Sequence, residues 1–246
     1  MNPKLLGSLL VGIIVLTGVY IGSLSLSQNP LTRESLESQQ AQVSSALTNG
    51  LISHWKFDEG SGNSVSSAVG GASDTLGSPV WIDGKIGKAL TFNGSDYVSA
   101  GDISQSKITI SAWIKPESNS NFGSIAMKQN VYGLESQGAK VFARVGDGSS
   151  WTGSVEAPIS FGVWQLVTQT FDGSKVRIYV NGSLVATANA KVTLGSTVPF
   201  LIGTWATDFS EPFKGGVDDV RVYNRALSAS EVSALYAYNG TTTPPP

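Results

Sequence analysis

Acidic and amide side chains gather at two places where strands of the folded chain are expected to begin or end. Ca²⁺ prefers oxygen ligands of this kind and binds about six to eight of them, from carboxylates, amides, carbonyls and water. The candidate calcium ligands are Asp58, Glu59, Asn63, Asp218 and Asp219. An alternative stays open, in which Asp58 accepts hydrogen bonds from its own glycine-rich loop and Asp218 pairs with Arg221 or Lys214.

A second set of side chains could bind a ligand that has a flat apolar face. Sugar rings present such faces, and carbohydrate sites therefore combine exposed aromatic rings with a few hydrogen-bonding groups. The candidate ligand-binding residues are Trp151, Trp205, Asp208, Phe209, Tyr132 and Arg144. For each tryptophan of this set, covering a sheet edge is an equally good interpretation. Four further aromatic residues lie in predicted strands and are expected to be structural: Trp55, Trp113, Trp164 and Tyr179.

Patterns typical of a catalytic site are absent from the sequence. Glycoside hydrolysis needs two carboxylates roughly 5 to 9.5 Å apart, and no E-x-D-x-E segment places acids on one strand face. The single histidine, His54, lies between Ser53 and Trp55 without a nucleophile motif. G-x-S-x-G, Walker and dinucleotide glycine patterns are also missing. We therefore expect a protein that is not an enzyme.

Composition narrows the classes of partner and cofactor. The 246 residues carry a net charge of -2, without the cationic excess that binds a phosphate backbone, so nucleic acid is not an expected partner. The absence of cysteine excludes disulfides and thiolate sites, and a single histidine excludes multi-histidine metal centres. A structural calcium ion is the one cofactor that the sequence suggests.

The elements that must position these side chains are short strands. Segments rich in β-branched and aromatic residues predict eleven strands. They cover residues 51–57, 88–92, 97–100, 108–115, 123–128, 140–145, 164–171, 176–180, 184–188, 200–203 and 216–223. Alternating apolar and polar residues from Ile108 to Lys115 predict a strand with one face in a core.

Turn motifs and a helix-capping motif predict how some of these strands are connected and where a helix follows them. The dipeptides Asn93-Gly94 and Asn181-Gly182 each predict a hairpin, because Asn and Gly readily adopt positive φ angles. The S-x-x-E segment from Ser228 to Glu231 is a capping box and predicts one short helix. Many short strands without room for crossover helices predict an all-β fold, a two-sheet antiparallel β-sandwich with this helix near its C-terminal end.

The sequence outside the predicted sandwich has three further parts. Residues 5–26 carry no charge and are long enough to cross a bilayer, so residues 1–27 are predicted to be a transmembrane anchor with its N-terminus inside and the folded domain outside. A cleaved signal peptide is the alternative, and it would make the domain secreted. Residues 28–50 are a polar spacer, residues 51–240 the folded domain and residues 241–246 a Thr/Pro-rich tail.

Five motifs occur in the order found in laminin-G-like, concanavalin A-like jelly-roll domains, and the chain resembles that family over nearly all of residues 51–238. The motifs span residues 54–62, 87–94, 108–115, 171–182 and 218–228. The resemblance implies a two-sheet jelly roll that serves as a binding or adhesion module on bacterial cell surfaces. It also implies that a structural calcium ion is common and that such domains are often attached to glycoside-processing enzymes.

These observations predict a non-catalytic, membrane-anchored module that binds a carbohydrate or surface glycoconjugate outside the cell or in the periplasm. The expected partners are a carbohydrate or glycoprotein ligand and the membrane. The alternative is a structural or adhesin-like surface protein that makes only protein contacts. A degenerate glycoside hydrolase is a remote alternative.

Overall fold

The computed structural model describes residues 47–70, 74–77, 80–117, 122–206 and 210–240, together with Ser38 and Ala41. In this part of the chain, short strands are followed by one short helix, and Ser38, Ala41, Leu47 and Thr48 are also helical. The strands are β1 (Leu51–Trp55), β2 (Asp74–Leu76), β3 (Val80–Asp83), β4 (Lys88–Phe92), β5 (Tyr97–Ser99), β6 (Ile108–Pro116), β7 (Phe122–Lys128), β8 (Tyr132–Gln137), β9 (Lys140–Gly146), β10 (Trp151–Pro158), β11 (Gln165–Phe171), β12 (Lys175–Val180), β13 (Ser183–Asn189), β14 (Phe200–Ile202) and β15 (Gly215–Tyr223). The helix is α1 (Ala229–Ala237).

The strands form two antiparallel sheets. The first has the order β13-β12-β11-β6-β15-β4-β3, and β1 also pairs with β15. The second has the order β10-β9-β8-β7-β14-β5-β2. The predicted all-β two-sheet sandwich with one short C-terminal helix is therefore confirmed.

The main core lies between the two sheets, because alternate residues of each strand face inward. Ile110 and Ile114 of β6 in the first sheet and Val141 and Ala143 of β9 in the second all belong to this core. Each of these side chains is fully buried. The intervening residues of these strands consequently lie on the outer faces of the sandwich.

A smaller apolar cluster covers the outer face of the first sheet. Trp113 of β6 and Tyr223 of β15 are buried there beneath Val232 and Leu235 of α1. The chain segment before β1 also reaches this cluster, through Leu47. The prediction that one face of β6 lies in a core is confirmed, but the strand is not half-buried as expected, because α1 and its neighbours cover the second face.

The N-terminus of α1 confirms the predicted capping box. The Ser228 side chain accepts a hydrogen bond from the Glu231 backbone N–H at 3.3 Å, and the Glu231 carboxylate accepts the Ser228 backbone N–H at 2.8 Å. Arg225 donates two further hydrogen bonds to the Glu231 carboxylate, at 2.7 and 3.0 Å. This ion pair holds the start of α1 against the end of β15.

Of the two predicted Asn-Gly hairpins, one is confirmed and one is wrong. Asn181 and Gly182 join β12 to β13, with φ angles of 50° and 79°. Asn93 and Gly94 instead carry the chain from β4 in the first sheet to β5 in the second. Gly94 does have a positive φ of 102°, but local turn geometry does not determine which strand becomes the partner.

The predicted anchor over residues 1–27, most of the spacer over residues 28–50 and the tail over residues 241–246 lie outside the described residues. None of the helices that the structure does describe has both the length and the apolar character needed to span a bilayer.

Candidate functional site

The outer face of the second sheet carries a group of large side chains on β7, β8 and β9. Register places Phe142 opposite Glu135, and Glu135 opposite Ser124 on the other neighbouring strand. Arg144 lies one row further along β9. The core residues of β9 are Val141, Ala143 and Val145, so Phe142 and Arg144 point away from the core.

Three half-buried aromatic rings surround the Arg144 guanidinium, and a fourth packs against one of them. We call these four residues the aromatic cluster: Phe122, Phe142, Trp151 and Trp205. The Arg144 Cζ atom lies 5.0 Å from the Phe142 ring centroid, 5.2 Å from that of Phe122 and 5.6 Å from that of Trp151. Trp205 meets Trp151 edge-on, with ring centroids 5.6 Å apart and planes at 76°. These distances are those of cation–π and edge-to-face contacts.

Trp151 and Trp205 reach this face from two different elements. Trp151 begins β10, where the pairing with β9 shifts register between Trp151 and Gly153. Trp205 lies in the segment after β14, which the Ser124 backbone N–H fixes by donating to the Glu211 carbonyl at 2.9 Å. A turn bond from the Trp205 N–H to the Ser210 carbonyl, at 3.0 Å, holds the tryptophan in place.

A buried carboxyl group lies beneath the aromatic cluster. The Glu135 side chain is 1% exposed, and its Oε2 atom lies 3.2 Å from Nη1 of Arg144. Among the described residues, neither Glu135 oxygen has a hydrogen-bond partner, and the same holds for Ser124 Oγ and Arg144 Nε. Burial raises the pKa of Glu135 to about 7, while Arg144 opposes this shift and the Glu211 carboxylate adds to it.

The structure brings together some of the predicted ligand-binding residues and excludes another. Trp151, Trp205 and Arg144 are in contact, whereas Asp208 and Phe209 lie outside the described residues. The placement of Tyr132 on this face was wrong, because its side chain lies in the core with 0% exposure. Its hydroxyl group donates to the Ile103 carbonyl and accepts from the Gln105 N–H.

Sequence reasoning missed Phe122, Phe142 and Glu135. The alternation in Lys140–Gly146 was a usable signal, since it places Phe142 and Arg144 on the face opposite Val141 and Ala143. Glu135 gave no comparable signal, because β8 was not predicted as a strand.

The candidate calcium ligands lie at the other side of the sandwich, around the pairing of β1 with β15. Asp219 has a φ of 47° and forms part of a β-bulge opposite β6. Its Oδ1 atom lies 2.5 Å from His54 Nε2, and Arg221 contacts both of its oxygens at 3.1 Å. Arg221, followed by His54, keeps the pKa of the Asp219 carboxyl low against the opposing effect of burial.

The remaining candidate ligands accept hydrogen bonds from backbone groups. Asp58 Oδ1 accepts the Lys88 N–H, Glu59 Oε1 accepts the Ser66 N–H and Asp218 Oδ2 accepts the Ile86 N–H, each at 2.9 Å. The structure assigns no such contact to Asn63. The carboxylates therefore serve as acceptors within the protein, but with partners other than those of the alternative interpretation. Asp58 accepts from Lys88 rather than from its own loop, and Asp218 pairs with neither Arg221 nor Lys214 among its described contacts.

These positions do not form a favourable cage for a cation. A cavity of about 80 Å³ is lined by Asp58 and Asp219, but also by Lys56. Within the described ranges, no group of three or more His, Asp or Glu residues is spaced to hold a metal ion. Structural calcium thus stays a prediction, and the donor set in this arrangement fits it poorly.

Comparison with known proteins identifies the family. The model of the concanavalin A-like lectin/glucanases superfamily matches residues 92–233. Because this match covers more than half of the chain, the protein belongs to that superfamily. No curated protein sequence matches the chain.

Solved structures with the same fold include domain 4 of AbnA, an extracellular GH43 arabinanase from Geobacillus stearothermophilus, in complex with arabinotriose. It is 24% identical, with a TM-score of 0.61 and coverage of 76% of this chain and 98% of that domain. The binding domain of Paraclostridial Mosquitocidal Protein 1 is 16% identical, with a TM-score of 0.61 and coverage of 76% and 52%. The binding domain of botulinum neurotoxin DC in complex with SialylT is 13% identical, with a TM-score of 0.60 and coverage of 77% and 51%. The chain spans about half the length of the two toxin domains, and all three likenesses establish the fold alone.

Proposed function

We propose that the protein is a non-catalytic module that binds a carbohydrate at the aromatic cluster. The observation that carries the proposal is the aromatic cluster on the outer face of the second sheet, in which three half-buried rings surround Arg144 and Trp205 packs against Trp151. A sugar ring stacks its C–H face on such aromatic surface, and nearby polar groups then bond to its hydroxyls. Arg144 supplies donors of this kind.

Two of the similar structures support a saccharide ligand, since their complexes contain arabinotriose and SialylT. Arabinotriose is the more direct guide, because domain 4 of AbnA is matched over 98% of its length. It is therefore the first probe that we would test on this chain.

The non-catalytic part of the proposal rests on the acids around the cluster. General acid–base chemistry requires a carboxyl group that can reach the substrate. Glu135 is buried under Arg144, and Glu156 on β10 forms an ion pair with Lys140 at 2.6 Å. Neither group is presented to a ligand as one of a facing pair.

The decisive experiment compares Trp151→Ala with the matched control Trp81→Ala in a glycan screen that includes arabinotriose, using the full chain purified in mild detergent. Trp81 is also half-buried, but it lies on β3 of the first sheet. Loss of one stacking ring is expected to weaken saccharide binding about tenfold, on the order of 1–2 kcal/mol. Trp81→Ala should bind as the unchanged protein does.

Three other results would contradict the proposal. Equal binding by Trp151→Ala and Trp81→Ala would show that the saccharide does not bind at the aromatic cluster. Turnover of any polysaccharide would show that the protein is a hydrolase. A negative screen together with retained cell-to-cell adhesion would favour the structural alternative, in which the sandwich makes only protein contacts.

We also propose that residues 1–27 hold the folded domain on the outer side of a membrane, on the strength of the uncharged segment from Leu5 to Leu26. The expected result is that the full chain stays with membranes after alkaline carbonate washing and is released by detergent. External protease should digest the domain in intact cells or spheroplasts. Release of a shortened chain into the medium would instead indicate cleavage near residue 27.

A further inference from the structure

We propose that the aromatic cluster prefers acidic saccharides, whose carboxylate binds Arg144, and that Glu135 controls this preference by competing for the same guanidinium. This inference rests on the proposed carbohydrate-binding function and specifies its ligand class. The shared chemistry is a sugar-borne carboxylate, which both uronic and sialic acids supply.

Arg144 has the geometry of a carboxylate receptor. Aromatic rings lie near its guanidinium at 5.0 to 5.6 Å from their centroids, which restricts its orientation. Among the described residues, its Nε atom has no hydrogen-bond partner, and its contact with Glu135 is a single Nη1–Oε2 approach of 3.2 Å. The side chain is 16% exposed, so a ligand can reach it. An arginine held in this way suits the in-plane, paired acceptors of a carboxylate.

The other cationic side chain of β9, Lys140, already forms an ion pair. Lys140 of β9 pairs with Glu156 of β10 at 2.6 Å, and both side chains are about half exposed. A surface pair of this kind keeps its charges balanced and is screened by water. Of the two cationic side chains on β9, Arg144 is therefore the one that an acidic sugar on the aromatic cluster would meet.

Glu135 is the competitor for Arg144. It lies opposite Ser124 of β7 and Phe142 of β9, below Arg144, with Glu211 of the segment after β14 as a second negative charge in range. Ser124 and Phe142 bring no charge, and Lys140 and Glu156 neutralise one another. The ionisation state of Glu135 thus determines whether the positive charge of Arg144 is compensated from within the protein.

Burial of Glu135 places the ionisation of its carboxyl group near neutral pH. Because the pKa of Glu135 is raised to about 7, its protonated fraction falls roughly tenfold between pH 6 and pH 8. The carboxylate of a uronic or sialic acid stays ionised throughout this range. At the lower pH, Arg144 is free to pair with the ligand, whereas at the higher pH it pairs with Glu135.

The test measures dissociation constants of trigalacturonate, sialyllactose and neutral arabinotriose for the full chain at pH 6, 7 and 8. We expect the affinity for at least one of the two acidic probes to fall about tenfold from pH 6 to pH 8, and that for arabinotriose to stay constant. Glu135→Gln should keep the pH 6 affinity for acidic probes at every pH. Glu156→Gln is the matched control and should retain the pH response of the unchanged protein.

Two outcomes would overturn the inference while leaving the proposed function in place. One is binding of arabinotriose that depends on Trp151 and exceeds that of both acidic probes at every pH. The other is acidic-probe binding that does not change with pH in the unchanged protein. Arg144→Gln gives an independent check if Glu135→Gln fails to fold, because it should weaken the acidic probes far more than arabinotriose and should abolish the pH response of their binding. If no saccharide binds at any pH, the proposed function itself fails.

Discussion

Asp218, like Glu135, is a buried carboxyl group whose charged form is destabilised by the loss of solvation. Its side chain is 0% exposed on β15, and its Oδ1 atom has no hydrogen-bond partner among the described residues. Burial, assisted by the neighbouring Asp219 charge, raises its pKa to about 7 against the hydrogen bond from Ile86. The folded protein therefore keeps a proton that the unfolded chain releases above about pH 4.

This shift predicts a pH-dependent loss of stability. Since the folded-state pKa is raised, the folded state binds more protons between pH 4 and pH 7, and stability falls as the pH rises through that window. Asp218→Asn should remove the effect, so that the free energy of unfolding drops less between pH 5 and pH 8 than in the unchanged protein, by on the order of 2 kcal/mol. Urea denaturation at the two pH values measures this difference.

Asp83→Asn is the control for the Asp218 experiment. Asp83 is an exposed acid that pairs with Lys88, and its pKa is lowered by that contact rather than raised. Its substitution should leave the pH trend of the unchanged protein in place. Equal slopes for Asp218→Asn and the unchanged protein would show that Asp218 is ionised in the folded state at pH 5.

At the level of strands, the sequence predicted the elements that have strong local patterns. β6, β11 and β12 consist largely of β-branched and aromatic residues and were all predicted. β13, which follows the Asn181-Gly182 turn, and the capping box of α1 were also predicted. β2, β3, β8 and β10 were missed. β8 and β10 contain Gly, Ser and Glu, whose strand preference is weak, and they become strands because neighbours in the second sheet supply their hydrogen bonds.

The missed strands also explain why the site was predicted only in part. Trp151 was not assigned to a strand, although it begins β10, and Glu135 belongs to β8. The contact between Arg144 and Glu135 depends on the register of β8 against β9, which residue types within one strand do not determine. Tyr132 shows the opposite error, since a polar aromatic residue near a turn can still occupy a core position when its hydroxyl finds a backbone partner.

For the molecule as a whole, the calcium prediction can be tested by adding the ion and by removing it. The calcium prediction requires the thermal unfolding temperature of the full chain to rise by a few degrees in millimolar Ca²⁺ and to fall in chelator, because a ligand bound to the folded state stabilises it. The alternative that the contacts favour requires identical curves, since Asp219 already pairs with Arg221 and Asp58 with the Lys88 backbone. Mg²⁺ at the same concentration controls for ionic strength.

The two ends of the folded domain lie behind the sheet opposite the aromatic cluster. Leu47 packs beside α1 on the outer face of the first sheet, and the Asn224 N–H donates to the Gly50 carbonyl. A ligand bound at the aromatic cluster, as proposed, would therefore be separated from both ends of the domain by the full thickness of the sandwich. Any force between such a ligand and the rest of the chain would pass through the apolar contacts between the two sheets, which also stabilise the fold.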